Sequence, residues 1–164
     1  MGAAAGGGRI DQQAAEAEKG DPIVDSSNQL EEIDRRECFQ LLGGTRFGRL
    51  AVSPPDWGTP PVIRPLTYVF DPTSQSIVFR SARGSKFTAM LLSGQAAFEI
   101  DAIDPATETG WSVIALGPVD EIRDGAELHR LEQLELHPWA PGEKPHWIRL
   151  RVNVVSGRRI TSSV

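Results

Sequence analysis

Residues 146–155, HWIRLRVNVV, alternate without a break. Ile148, Leu150, Val152 and Val154 fall on one face; Trp147, Arg149, Arg151 and Asn153 fall on the other. A period of two is the pleat of a β-strand, and the apolar face predicts a half-buried antiparallel strand. Phe47–Ser53, Val62–Phe70, Ser76–Ser81, Gln95–Asp101 and Gly110–Ile122 read as further strands, separated by Pro-, Gly- and Asp-rich turns such as Pro54–Gly58 and Asp71-Pro72. Gly157–Ile160 adds a short last one. Only three segments have helical spacing, and strands and helices do not alternate regularly. The pattern predicts a mainly β fold of the α+β class: a barrel-like sheet of about six antiparallel strands with a few short helices, not a doubly wound sheet.

The first helix has a clear start. Asp34 is placed to cap it, Glu37 is the capping-box partner, and Ile33 and Cys38 flank the cap as a hydrophobic staple. Phe39, Leu41 and Leu42 supply its buried face, and Gly43-Gly44 ends it. The other helical stretches are Ser85–Leu92, with Phe87, Met90 and Leu91 on one side, and Ala126–Leu136, with Leu128, Leu131 and Leu134 at spacing three. Cys38 is the single cysteine, which excludes an intrachain disulfide and any multi-cysteine metal site. It reads as a small core residue.

Residues 1–28 differ from the rest. They hold five Gly, six Ala and only four larger apolar residues, with five acidic and two basic groups. Such a segment buries too little surface to offset the entropy of ordering. It is expected to be a disordered or partly docked arm ahead of one domain over 29–164. The arm carries a net −3 of the chain's −5, so the body is close to neutral, which argues against nucleic acid as a partner. No apolar run is long enough for a membrane helix, and no secretory signal pattern is present; the expected location is cytoplasmic.

No catalytic set stands out. His129, His137 and His146 lack metal-site spacing, no metal is expected, and no nucleophile motif occurs. Glu99 and Asp101 share a strand face and read as solvated. Three segments carry more chemistry. Phe79-Arg80-Ser81 leads through Arg83 and Gly84 into Ser85-Lys86 at a helix start, bringing cations, hydroxyls and backbone N–H groups together as phosphate recognition requires. Lys86 is one of only three lysines, against fourteen arginines, and the only one at a structured junction. Arg64-Pro65-Leu66-Thr67-Tyr68 interrupts an apolar strand with a proline, the mark of an edge or a bulge. Trp111-Ser112, Trp139 and Trp147 place aromatic rings at loop and strand ends, suited to stacking or to a subunit interface.

Together these segments, with Gly48–Val52, Ala97–Asp101 and Pro138–Gly142, resemble the pyridoxamine 5′-phosphate oxidase-like flavoproteins, in particular their small actinobacterial branch, over about residues 33–160. The resemblance implies a split β-barrel of the FMN-binding type, Greek-key-like, forming a homodimer with cofactor sites at the subunit interface. It implies that Arg80, Ser81, Ser85 and Lys86 hold a flavin phosphate, that Arg64–Tyr68 lie along the isoalloxazine ring, and that Trp111 and Ser112 approach it, often from the second subunit. Trp139 and Trp147 would line the interface or the ring pocket. The implied cofactor is FMN or FAD, with the deazaflavin coenzyme as the alternative, and the implied activity is hydride transfer to an unidentified small molecule. A non-catalytic flavin store and a haem-binding relative using one of the histidines are the alternatives. No second phosphate cluster is present, which argues against vitamin B6 oxidation.

If Lys86 pairs with the cofactor phosphate, Lys86→Ala weakens binding by about 1.5–3 kcal/mol. An unchanged dissociation constant at fixed salt rejects that role.

Overall fold

The alternating segments pair edge to edge into one curled antiparallel sheet. The computed structural model describes residues 29–53, 60–82, 86–92 and 94–162, with Lys86 and Met90 described by their backbone only. Expectations for the arm, for Pro54–Gly58 and for Ser85 fall outside the described residues. The elements run β1 (Gln29–Ile33), α1 (Arg35–Gly44), β2 (Phe47–Val52), β3 (Val62–Thr67), β4 (Val69–Asp71), β5 (Ser76–Ser81), α2 (Lys86–Leu91), β6 (Gln95–Asp104), β7 (Thr109–Glu121), α3 (Gly125–Glu132), β8 (His146–Arg151) and β9 (Val154–Thr161). Neighbours in the sheet follow the order β3-β2-β6-β7-β8-β5-β4, while β9 pairs with both β7 and β1.

The sheet has nine strands where the pattern predicts about six. Two come from division of longer runs. Val62–Phe70 breaks at Tyr68, whose backbone N–H turns to the Arg46 carbonyl at 3.0 Å. The run over 146–155 breaks at Val152-Asn153, whose N–H groups donate to Gln75 and Leu116 carbonyls, both at 3.0 Å. The chain there leaves β5 and runs on along β7, from residues 119–121 to residues 110–116. Val154 begins a new strand and is exposed, not part of the Ile148–Val152 face. The third is β1, which carries almost no apolar signal. Its Glu31 and Glu32 sit opposite Arg159 and Arg158 of β9.

The concave side holds the core. Leu50, Tyr68, Ile77, Phe79, Phe98, Ile100, Val113, Ile148 and Leu150 meet there, and α1 closes it with Cys38 and Leu42. The expected cap forms, with the Asp34 carboxylate accepting from Glu37 N–H at 2.8 Å. Cys38 is fully buried, and burial pushes its thiol pKa up. β9 reaches α1 closely because residue 157 is glycine: a Cβ there would lie 2.7 Å from Cys38 Sγ and 2.9 Å from Ile33 Cβ.

A smaller core forms on the other side of β4, β5 and β8, where Leu131 of α3 and Leu136 of the segment after it cover Val69, Val78, Ile122 and Trp147. The alternation assigned Trp147 to the polar face of its strand. The helix covers that face, so the strand is buried on both sides where Trp147 sits. α3 is anchored by a two-pronged ion pair, Arg130 Nη1 and Nη2 to the two oxygens of Asp71 at 2.9 and 2.7 Å. Burial alone would raise the Asp71 pKa; hydrogen bonds from Arg130 and Ser74 overcome this and hold it at about 2.

The folded pKa of Asp71 lies below the unfolded value of about 3.9, so its stabilisation is complete above that value and is lost as pH falls toward 2. Asp71→Asn is expected to cost about 1.5–3 kcal/mol at neutral pH, as for hydrogen bonds to a charged group. Urea unfolding of the two proteins from pH 7 down to pH 2 checks this: the difference in stability narrows at the acid end.

Candidate functional site

Three strands and a short helix converge at the open end of β5. The pleat of β5 sends Phe79 into the core and Arg80 to the α3 side, next to Trp147 of β8, with which it pairs across the ladder. Trp147 and a loop carbonyl fix Arg80. Its guanidinium lies 5.2 Å over the indole ring, and its Nε donates to the Lys144 carbonyl at 2.7 Å. The terminal nitrogens of Arg80 carry no partner among the described residues. Lys144 is itself tied down, its Nζ donating to the Ala140 and Pro141 carbonyls at 2.8 and 3.0 Å. The Pro-rich loop before β8 is thereby fastened to β5.

Arg64 and Leu66 of β3, Phe79, Arg80 and Ser81 of β5, Phe87 of α2 and Lys144 surround a cleft of about 250 Å³. Arg64 stands 6.0 Å over the Phe87 ring. The hydroxyls of Ser81 and Thr88 are hydrogen-bonded at 2.5 Å, which joins α2 to the end of β5. The cleft thus has cations without carboxylate partners among the described residues, a hydroxyl, and an apolar wall of Leu66, Phe79 and Phe87. That combination suits an anionic group attached to a flat or aliphatic body.

Five expected residues therefore come together: Arg64, Leu66, Phe79, Arg80 and Ser81. Lys86 starts α2 beside them, its side chain outside the described residues, as is Ser85. The others stand elsewhere in the subunit. Pro65 and Thr67 lie on the convex face of β3, opposite Arg49 and Phe47 of β2. Tyr68 is in the core: its ring meets Phe98 edge-on at 4.7 Å, and its hydroxyl donates to the Leu42 carbonyl at 2.8 Å and pairs with Thr45 Oγ1 at 2.5 Å. Burial pushes its pKa up to about 12, so it stays protonated at physiological pH. Trp139 is largely exposed and stacks on Phe47, ring centroids 5.4 Å apart. Trp111 rests half-buried on the core, and Ser112 points to the convex face; both border a separate hollow with Arg158, Ile103, Leu30 and Ile160. Trp147 is buried and serves the cleft through Arg80.

Phe87 and Lys144 line the cleft without having been singled out. Phe87 reads from sequence as one more apolar helix position, and Lys144 as a loop lysine. Glu99 and Asp101, read as solvated, both accept from Arg49 Nη1, at 2.8 and 3.0 Å, on the convex face. The histidines do not gather: His129 is exposed on α3, while His146 Nδ1 meets Glu121 at 2.5 Å beside Arg123. Among the described residues no helix is long and apolar enough to cross a membrane.

Comparison with known proteins bears on the fold and the family. An FAD binding protein from Mycobacterium smegmatis is 30% identical to this chain and superposes with a TM-score of 0.70, over 81% of this chain and 100% of its own. A conserved protein of unknown function from Corynebacterium diphtheriae is 28% identical, with a TM-score of 0.67, over 80% of this chain and 98% of its own. An uncharacterized Mycobacterium tuberculosis protein is 28% identical over 142 residues, which is 84% of this chain and 90% of that protein. The family model for pyridoxamine 5′-phosphate oxidase matches residues 34–159, nearly the whole body. With its split-barrel sheet, the chain belongs to the pyridoxamine 5′-phosphate oxidase-like family.

Proposed function

We propose that this chain binds a flavin as a homodimer and works as an oxidoreductase, with FMN or the FMN portion of FAD seated at the Arg80 cleft. The observation that carries the reading is the pair of arginines, Arg64 and Arg80, that converge on Ser81 and an apolar wall with no carboxylate among the described residues to neutralise them. The donor set fits a phosphate, and the wall fits what is attached to it. The M. smegmatis relative, an FAD binding protein, supports the same ligand class. When bound, a flavin supplies hydride-transfer chemistry, which needs no side-chain nucleophile. The chain's own residues bind and orient: Arg80 meets the phosphate in a geometry set by Trp147 and Lys144, Ser81 offers its hydroxyl, and Arg64 and Leu66 border the body of the ligand.

Size and surface support the homodimer. About 250 Å³ is below the ~300–1,000 Å³ typical of small-molecule pockets, so one chain offers only part of a flavin site. The convex face of the sheet carries Leu30, Ile103, Ile114, Leu116, Val154 and Ile160, all exposed. The ladder places Leu116 beside Val154, and Ile160 between Leu30 and Gly110. Adjoining apolar residues in that number mark an interaction surface. A second copy laid on this face would bring Trp111, Ser112, Phe47 and Trp139 to the seam between subunits.

Absorption spectroscopy and mass spectrometry of whatever co-purifies test the cofactor and separate FMN, FAD and the deazaflavin coenzyme. A colourless protein that takes up none of them on mixing overturns the reading. Arg80→Ala is expected to weaken flavin binding by about 1.5–3 kcal/mol. Steady turnover of a reduced flavin with an acceptor, well above free flavin, is the outcome expected of an oxidoreductase; its absence identifies a flavin store.

Light scattering tests the assembly. Ile114→Glu combined with Leu116→Glu is expected to convert dimer to monomer and to weaken flavin binding together with it. A parent protein that is already monomeric and binds flavin rejects the shared site.

A further inference from the structure

The arginines of this chain divide by partner. Arg49, Arg123, Arg130, Arg149, Arg151 and Arg159 each meet a carboxylate. Among the described residues, Arg35, Arg36, Arg46, Arg64, Arg80 and Arg158 do not. Arg64 and Arg80 belong to the cleft above, and Arg158 borders the hollow beside Trp111. The remaining three converge on one cavity of about 900 Å³ between α1, β4 and the segment after α3.

The wall of this cavity is a stack. The Arg35 guanidinium lies 4.6 Å over the Phe39 ring, and Phe39 stacks on Phe70 with centroids 5.3 Å apart and 27° between the planes. Arg35 Nη2 donates to Gln75 Oε1 at 3.3 Å, which keeps the guanidinium on the ring. Leu134 closes an apolar side, while Arg36 and Arg46 complete the lining with charge. Against three cations the cavity has, among the described residues, one carboxylate, Glu135. Guanidinium groups left without a carboxylate favour a phosphate or carboxylate ligand. The aromatic stack favours a flat ring. Gln40, Gln75 and Gln133 bring amides, which both donate and accept and so match the edge of a heteroaromatic base.

The geometry points to a second small-molecule site, for a nucleotide monophosphate, with the base against the Phe39–Phe70 stack and the phosphate at Arg36 and Arg46. It shares no lining residue with the Arg80 cleft, so it stands or falls separately from the flavin reading. The probe is adenosine 5′-monophosphate, titrated calorimetrically into the full chain, with adenosine as the uncharged control. The expected result is saturable binding of one AMP per chain, with adenosine about tenfold weaker or more, the loss expected for charge-assisted hydrogen bonds. Arg36→Gln with Arg46→Gln changes two exposed side chains; it should reduce AMP affinity to a similar degree while leaving the thermal midpoint and flavin binding as in the parent. Arg80→Gln should leave AMP affinity unchanged. No saturable heat at millimolar AMP overturns the proposal. So does AMP affinity that survives the Arg36/Arg46 changes, or that is lost with Arg80→Gln.

Discussion

The crossing of β7 over the β8–β9 corner fixes the rest of the molecule. β7 is the one strand both halves of the sheet share: residues 109–118 pair with β6, and residues 119–121 with β8. At the changeover stands Gly117. A Cβ there would lie 1.7 Å from the Arg151 carbonyl oxygen, closer than any side chain tolerates. Only backbone fits between the two strands, and Asn153 N–H closes the contact on Leu116 O. Asp120, just beyond, accepts from both Arg149 and Arg151 and locks the angle. The position of β8 follows from this, and with it the Trp147 ring on which Arg80 lies. A glycine between two halves of a sheet thereby determines where a guanidinium on another strand is presented.

That presentation is costly to arrange by other means. A free arginine side chain gives up on the order of 2 kcal/mol of rotamer entropy when a ligand immobilises it. Arg80 has its Nε committed to Lys144 O and its plane set by the indole before any ligand arrives. Arg64 meets only the Phe87 ring, at a longer distance, and stays exposed. The two cations therefore differ in kind: one is pre-set and the other adapts. Such a pair suits a ligand with a fixed anionic end and a body whose position depends on a second wall.

Much of this was legible in the residues. The Asp34 cap, the buried Cys38, the antiparallel sheet and the grouping of Arg80 with Ser81 follow from local chemistry, and each involves neighbours in sequence or a period read along one strand. What the sequence hid is what a distant element decides. Trp147 reads as half of a polar face because the pattern along β8 cannot announce that α3 will lie over it. Tyr68 reads as a ring-lining residue, yet its side chain lies in the core, because the break between β3 and β4 hands its hydroxyl to the end of α1. β1 has only Leu30 and Ile33 as an apolar signature; its partner is the far end of the chain, where Arg159 and Arg158 stand opposite Glu31 and Glu32. Lys144 looks like an ordinary loop lysine until its carbonyl is seen to hold Arg80.

The same packing bears on where a ligand can sit in so small a fold. Among the described residues the concave side is filled by packed apolar side chains and closed by α1, which disfavours a ligand in the barrel interior. Ligands are left with the rims and seams of the sheet. At a seam a single chain supplies one wall, here the Arg80 cleft, and an apolar convex face that ends beside Trp111 and Ser112. Exposed apolar area and an incomplete pocket are each unfavourable alone: one costs hydration free energy, and the other leaves a ligand half solvated. In the proposed homodimer, association of two copies through that face would relieve the first and complete the second in one step. On this reading binding and assembly are linked: the free energy by which association strengthens cofactor binding is the free energy by which the cofactor strengthens association.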